Sequence, residues 1–230
     1  MTAAAHDREV FNHTAPRYDV VSRVMTLGRG DRWRQAAARS ADLHAGASVL
    51  DACTGTGDLA LMLADRVTPL GEVIGVDHSP GMITRARMKA QATGRHCRFE
   101  VGDCINLAFP DDRFEAATTS GGLRGMDDPA AAIAEMARVV RPGGRVVLLE
   151  ITPPDRMRGI HARVLRMATP AVGGLLGGDA RAFRHLAETV AHVPPPERVA
   201  ALMDGAGIGD IRWQRLAGGM ATLHVGVVTI

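Results

Sequence analysis

Four short clusters carry the residues of this 230-residue chain that could do chemistry. The first, Asp51-Ala-Cys-Thr-Gly-Thr-Gly-Asp58, ends an apolar run in an acid, turns through two glycines and opens an amphipathic stretch from Leu59 to Arg66. Such a loop lets backbone approach a nucleotide-like ligand closely, which makes Asp51, Thr54, Gly55, Thr56 and Gly57 candidate binding residues. Asp77-His78 ends a second apolar run, and an acid there is placed to accept hydrogen bonds from a ribose diol. Asp103-Cys104 follows a third run, with Asp103 suited to accept from an adenine amino group and Cys104 to supply a backbone donor. Ser120 to Arg124 follows a fourth. Met82 lies either beside an adenine ring or in ordinary core.

One common nucleotide site is disfavoured and another is excluded. A dinucleotide fingerprint needs G-x-G-x-x-G, but position 60 is Ala, and no G-K-[ST] follows the turn as a P-loop requires. Asp51 would repel a pyrophosphate and attract a ligand that carries sulfonium and ammonium charges. The clusters therefore point to S-adenosylmethionine (SAM), with S-adenosylhomocysteine as product, and to methyl transfer. A single acid after a strand is more often a helix cap. Three on one rim are harder to explain that way.

The elements that must position these clusters follow from periodicity. Strands are expected at 47–52, 72–77, 97–101, 114–119 and 145–151, and helices at 58–66, 80–92 and 128–140. That alternation predicts an α/β fold with a doubly wound, mostly parallel, Rossmann-like sheet, whose ligands sit outside the carboxyl ends of the strands. Residues 6–44 read as an N-terminal helical cover, 47–152 as the SAM-binding core, 153–196 as a substrate-side lid or an extra packed layer, and 197–230 as a helix and an antiparallel hairpin, all within one domain. The lid reading rests on the Pro and Gly pairs that interrupt 153–196.

Composition narrows the partners. A formal net charge of +2, with scattered arginines, gives no basic run for nucleic acid, and the Asn/Asp-Pro-Pro-aromatic signature of adenine methylation is absent. No signal peptide is evident after Met1, and no apolar run approaches the roughly 20 residues of a membrane span. A cytoplasmic protein is expected, with at most peripheral membrane contact through 160–176, as a monomer or homodimer. Cys53, Cys97 and Cys104 lack ligand spacing and the nine histidines show no H-x-x-x-H, so no metal is expected.

Methyl transfer from a sulfonium is an in-line displacement, so the protein's work is alignment and activation of the acceptor. For ring-carbon attack, a phenol must lose a proton. Arg124 is the candidate to stabilise a phenolate or help activate a water, or else it forms a salt bridge on the rim. His224 is either a proton acceptor or a core histidine. His185 and Tyr18 complete the catalytic candidates, with Tyr18 and its neighbour Asp19 closing the site from the N-terminal helices or packing and capping there.

With these positions in view, the chain resembles the ubiquinone/menaquinone biosynthesis C-methyltransferase family, of the class I SAM-dependent fold. The likeness runs from Phe11 to Gly226. It is carried by Ala15-Pro-Arg-Tyr-Asp19, Arg32-Trp-Arg34, Val49 to Asp58, Leu107-Ala-Phe-Pro110, Gly122-Leu-Arg124, Arg141-Pro-Gly-Gly144, Leu186-Ala-Glu188 and Leu216-Ala-Gly-Gly219 with Leu223-His224. The resemblance implies a quinol-type acceptor. Where the family usually reads Ser-Phe-Gly-Leu-Arg-Asn, this chain reads Ser120-Gly-Gly-Leu-Arg-Gly125, and the family's Tyr-Leu-Ala-Glu-Ser becomes His185-Leu-Ala-Glu-Thr189. The ending also departs, as Gly226-Val-Val-Thr-Ile230. Those changes shift the expected acceptor to a small phenolic or polyketide-like specialised metabolite. The alternatives are a prenylated quinol such as demethylmenaquinol, a SAM-binding protein without turnover, and more remotely an NAD-dependent reductase.

Overall fold

Runs rich in Val, Ile and Leu alternate with amphipathic stretches, and the central runs, at 48–52, 72–77 and 146–150, become strands buried on both faces. The computed structural model describes residues 3–68, 70–126, 128–152 and 193–229. Helices α1 (Ala3–Thr14), α2 (Tyr18–Met25) and α3 (Gly30–Ser40) precede β1 (Ser48–Ala52), α4 (Asp58–Val67), β2 (Glu72–Asp77), α5 (Pro80–Thr93) and β3 (Arg98–Val101). Then follow β4 (Phe114–Ser120), α6 (Pro129–Arg138), β5 (Val140–Glu150), α7 (Pro196–Gly205), β6 (Ile208–Leu216) and β7 (Ala221–Val228).

The seven strands form one sheet in the order β3-β2-β1-β4-β5-β7-β6. The first five are parallel, and β7 lies antiparallel between β5 and β6. This is the expected doubly wound architecture with an antiparallel C-terminal hairpin. Strand alternation divides the core: Val49 packs on one side with Leu59, Leu63 and Ile83, while Leu50 packs on the other with Ile133, Met136 and Val199. Each such fully buried side chain contributes roughly 1.5–3 kcal/mol of transfer free energy. Chain order reverses direction between β1 and β4, the place where an open sheet leaves a crevice at its carboxyl edge.

The loop after β1 is shaped by what its neighbours exclude. Gly57 precedes α4 with φ +82°, a left-handed conformation, and a Cβ there would come within 2.9 Å of the Phe99 ring. Gly75 on β2 leaves room for Phe99 and Thr54, since its Cβ would fall 2.6 Å from the ring and 2.8 Å from the Thr54 hydroxyl. The start of α5 is capped by Ser79, whose Oγ accepts from the Met82 N–H at 3.2 Å.

One boundary needs correction. The helix expected over 128–140 ends at Arg138, because Val140 already pairs with Phe114 in the sheet. A register shift between Phe114 and Ala116 absorbs Arg141-Pro-Gly-Gly144 into β5, where a separate turn was expected. Residues 153–192, which hold most of the expected lid and His185, lie outside the described residues. No described helix is long and apolar enough to cross a membrane.

Candidate functional site

A cavity of about 590 Å³ opens at the carboxyl ends of β1, β2, β4 and β5. The sheet crevice supplies its floor, and Phe11, Tyr18 and Trp33 of the N-terminal helices wall it from the other side. All four sequence clusters reach it. Asp51, Thr54, Gly55 and Thr56 line it from the β1–α4 loop, and Asp77, His78 and Met82 from the β2–α5 junction. Asp103, Cys104, Ser120 and Arg124 complete the rim. Gly57 does not line the cavity; its place is the turn into α4.

Two buried carboxylates organise the loop. Asp51 accepts the hydroxyls of Thr54 at 2.6 Å and Thr118 at 2.8 Å. Burial pushes its pKa up to about 6, against the pull of those two donors. Asp77 accepts the N–H of Gly55 at 2.8 Å on one oxygen and the N–H of Ser79 at 2.9 Å on the other. Burial raises this carboxyl as well, opposed by the Ser79 N–H, by His78 and by the Gly55 N–H. Each oxygen keeps a lone pair free to accept from a ligand hydroxyl. The loops after β1 and β2 are thus tied together by a group that itself faces the ligand space.

The raised carboxyl of Asp51 predicts a pH signature. Its folded pKa of about 6 exceeds the ordinary 3.8, so its favourable contribution is complete below 3.8 and is lost as pH rises to about 6. Urea unfolding between pH 4 and 7 should show stability falling less steeply in Asp51→Asn than in the parent, by about 3 kcal/mol across that window. An unchanged slope would mean that Asp51 titrates as it would in water.

On the far rim, Asp103 is exposed and accepts the Ile105 N–H at 3.1 Å, which shapes the loop after β3. The Cys104 sulfur accepts from the Cys53 N–H at 3.1 Å, and the two thiols lie 3.2 Å apart. The contact with Cys104 and burial push the Cys53 thiol well above the usual range, so it is held as a neutral thiol. Among the described residues no cluster of three or more His, Cys, Asp or Glu side chains could hold a metal ion.

The N-terminal helices are fastened to this edge by polar contacts. Asn12 Oδ1 accepts from the Ser79 hydroxyl at 2.7 Å and the Gly81 N–H at 2.9 Å. Asp19 accepts the Thr56 hydroxyl at 2.6 Å and Lys89 Nζ at 3.1 Å; Lys89 also bonds Asp58. Burial would raise Asp19, but Thr56 and Lys89 outweigh it and hold the carboxyl below its usual range. Asn12 and Lys89 carry no motif of their own, and only their spatial neighbours reveal them.

On the β4 side of the cavity, Arg124 sits in a 3₁₀ turn (Leu123–Gly125) and is 8% exposed. Its Nη2 donates to the Tyr18 hydroxyl at 3.1 Å, while Nε and Nη1 are buried without a partner among the described residues. The salt bridge weighed for Arg124 is therefore not formed among the described residues. Glu150, which the sequence reading passed over, also lines the cavity and is 1% exposed. One oxygen accepts the Leu123 N–H at 2.8 Å and the other has no hydrogen-bond partner among the described residues. Burial pushes this carboxyl up to about 7, against the pull of Arg124 and the nearby backbone N–H groups. Gly121, at φ +72°, has its missing side-chain position 3.7 Å from the Arg124 guanidinium, and that of Gly125 lies 3.5 Å from the Phe11 ring.

His224 does not reach the cavity. It is fully buried on β7, with Nε2 3.0 Å from the Pro196 carbonyl and its ring 6.1 Å from that of Trp213. Burial lowers its pKa and favours the neutral ring. The alternation of β7 sends Leu223 to one core layer and His224 to the other, so this residue is a core histidine among the described residues.

Comparison with known proteins agrees with this frame. A family model described as the ubiE/COQ5 methyltransferase family matches residues 2–228. A demethylmenaquinone methyltransferase of Thermus thermophilus is 42% identical over 219 residues, covering 94% of this chain and 99% of that protein. One of Deinococcus radiodurans is 42% identical over 223 residues, covering 95% of this chain and 91% of that protein. In fold, the chain is similar to a SAM-dependent methyltransferase from Thermotoga maritima with a TM-score of 0.70 at 16% identity, covering 96% of this chain and 99% of that one. With a carboxylate-lined crevice at the sheet's switch point and a family match over nearly its whole length, the chain belongs to the ubiE/COQ5 methyltransferase family and is a SAM-dependent methyltransferase.

Proposed function

We propose that the protein methylates a ring carbon of a prenylated quinol of the demethylmenaquinol type. The observation that carries this reading is Arg124, a buried guanidinium with two nitrogens unpartnered among the described residues, in the cavity of a chain that matches demethylmenaquinone methyltransferases over nearly its full length. Such a group calls for an acceptor oxygen that gains negative charge. The specialised metabolite expected from Gly121 and Gly125 is less well supported. Those glycines leave space beside Arg124 and Phe11 but keep the guanidinium and its Tyr18 partner.

SAM supplies an electrophilic methyl group. In this reading Asp77 accepts from the ribose hydroxyls, while Asp103 and the backbone of Cys104 meet the adenine edge beside Met82. Asp51, Thr54, Gly55 and Thr56 receive the charged amino-acid end, and His78 and Ser120 border the same space. Gly57 contributes by shaping the turn. Arg124 orients the acceptor oxygen and stabilises it as a phenolate, and Tyr18 fixes the guanidinium. The walls of Phe11, Tyr18 and Trp33 exclude water from the reacting centre, where alignment alone supplies roughly 7–11 kcal/mol of the barrier.

The test is transfer from methyl-labelled SAM to a short-chain demethylmenaquinol under reducing conditions. Rapid single methylation on the ring is the expected result. SAM binding without transfer to any quinol, but with transfer to another phenolic acceptor, would overturn the quinol assignment in favour of a redirected pocket.

A further inference from the structure

We propose that Glu150 is the base of the reaction, taking the proton of the acceptor hydroxyl while Arg124 holds the oxygen left behind. The inference rests on the phenolic reading of the acceptor. It begins with an imbalance inside the cavity. Arg124 uses Nη2 on Tyr18, and Glu150 uses Oε1 on the Leu123 N–H. What remains is two donor nitrogens, Nε and Nη1, and one acceptor oxygen, Oε2, all buried and without partners among the described residues. Buried polar atoms are rarely left so, and leaving them unpaired costs stability unless a ligand completes them.

The group that completes both is a hydroxyl. Its oxygen accepts from the guanidinium and its hydrogen donates to the carboxylate. A quinone carbonyl could satisfy Arg124 but would leave an ionised Glu150 without a donor, so the pair selects the reduced acceptor. The surroundings leave Glu150 free for this work. Its sheet partner on β7 is Thr222, and Ser120 on β4 pairs with its neighbour Leu149; neither titrates. Among the described residues, the one charged group acting on it is Arg124, from the 3₁₀ turn, backed by the Tyr18 phenol of α2. Burial keeps the carboxyl near neutrality, where a general base is effective.

The bookkeeping of the step closes. The acceptor O–H breaks, its proton goes to Glu150 Oε2, and the electron pair stays on oxygen and spreads to the ring. The ring carbon forms a bond to the methyl carbon as the C–S pair returns to sulfur. The ring C–H proton then leaves to water while Glu150 returns its proton to the oxygen, for a net release of one proton.

Glu150→Gln keeps the shape and the acceptor for Leu123 N–H while removing the basic oxygen. Single-turnover methyl transfer in this variant should fall about 10²–10⁴-fold, with the acid limb near pH 7 abolished and SAM affinity unchanged. A fluorinated hydroquinone that is already ionised at the assay pH should restore transfer in Glu150→Gln but not in Arg124→Ala. Equal loss on ordinary and pre-ionised acceptors, or a parental pH limb in the variant, would overturn the assignment. A readout independent of turnover separates this from failure of the quinol reading. At pH 7.5, where 4-cyanophenol is still largely protonated in solution, its binding to the SAM-free protein should increase the infrared band of a protonated carboxyl in the parent and not in Glu150→Gln. Absence of that increase in the parent would refute Glu150 as the proton acceptor whatever the natural acceptor is.

Discussion

Arg124→Ala is expected to lower the rate of methyl transfer by about 10²–10³-fold, as removal of a preorganised donor to a developing oxyanion does, while the Kd for SAM changes by less than about threefold. The separation follows from geometry. Arg124 lies in the turn after β4, whereas the carboxylates assigned to SAM hang from the ends of β1 and β2 and share no hydrogen bond with it. Truncation also leaves the Tyr18 hydroxyl without its donor and removes the positive charge that pulls the Glu150 pKa down. The acid limb of the pH profile should therefore move upward. Arg124→Lys should recover little, because an ammonium cannot donate to Tyr18 and to the acceptor with the spread of a guanidinium fork. Stopped single-turnover assays and calorimetric SAM titration read the two effects apart. Turnover within tenfold of the parent would remove Arg124 from the chemistry.

Asp77→Ala is expected to act on the opposite quantity, weakening SAM binding by about 10²-fold, the equivalent of about 3 kcal/mol for hydrogen bonds to a charged acceptor. Part of that loss comes from the ribose hydroxyls. The rest comes from the loop itself, since the Gly55 and Ser79 N–H groups lose the carboxylate that orders them. Asp77→Asn, which keeps one acceptor oxygen, should fall between. At saturating SAM the single-turnover rate should stay near that of the parent. Equal SAM affinity in Asp77→Ala and the parent would show that the ribose assignment is wrong.

Much of the SAM-side rim was legible because its signals are local. Asp51 to Asp58 announces a strand, a glycine turn and a helix within ten residues, and acids at strand ends are counted as easily as they are seen. The acceptor side was read less well. Glu150 stands at the end of an apolar run and looks like any strand-end acid; its meaning comes from Leu123, 27 residues away, and from Arg124. His224, singled out by residue type, belongs to the core because the β7 register turns it towards Pro196.

By itself, the sequence determined most of the strand and helix order and the glycine turn that follows β1, because period and turn chemistry act over a few residues. The tertiary structure alone decided which polar atoms are left unpaired in the cavity. That quantity depends on burial and on partners as far apart as Tyr18 and Arg124, 106 residues in the chain. Desolvation is a property of the packed whole, so the raised carboxyls of Asp51 and Glu150 exist only once the sheet and its helices have closed around them.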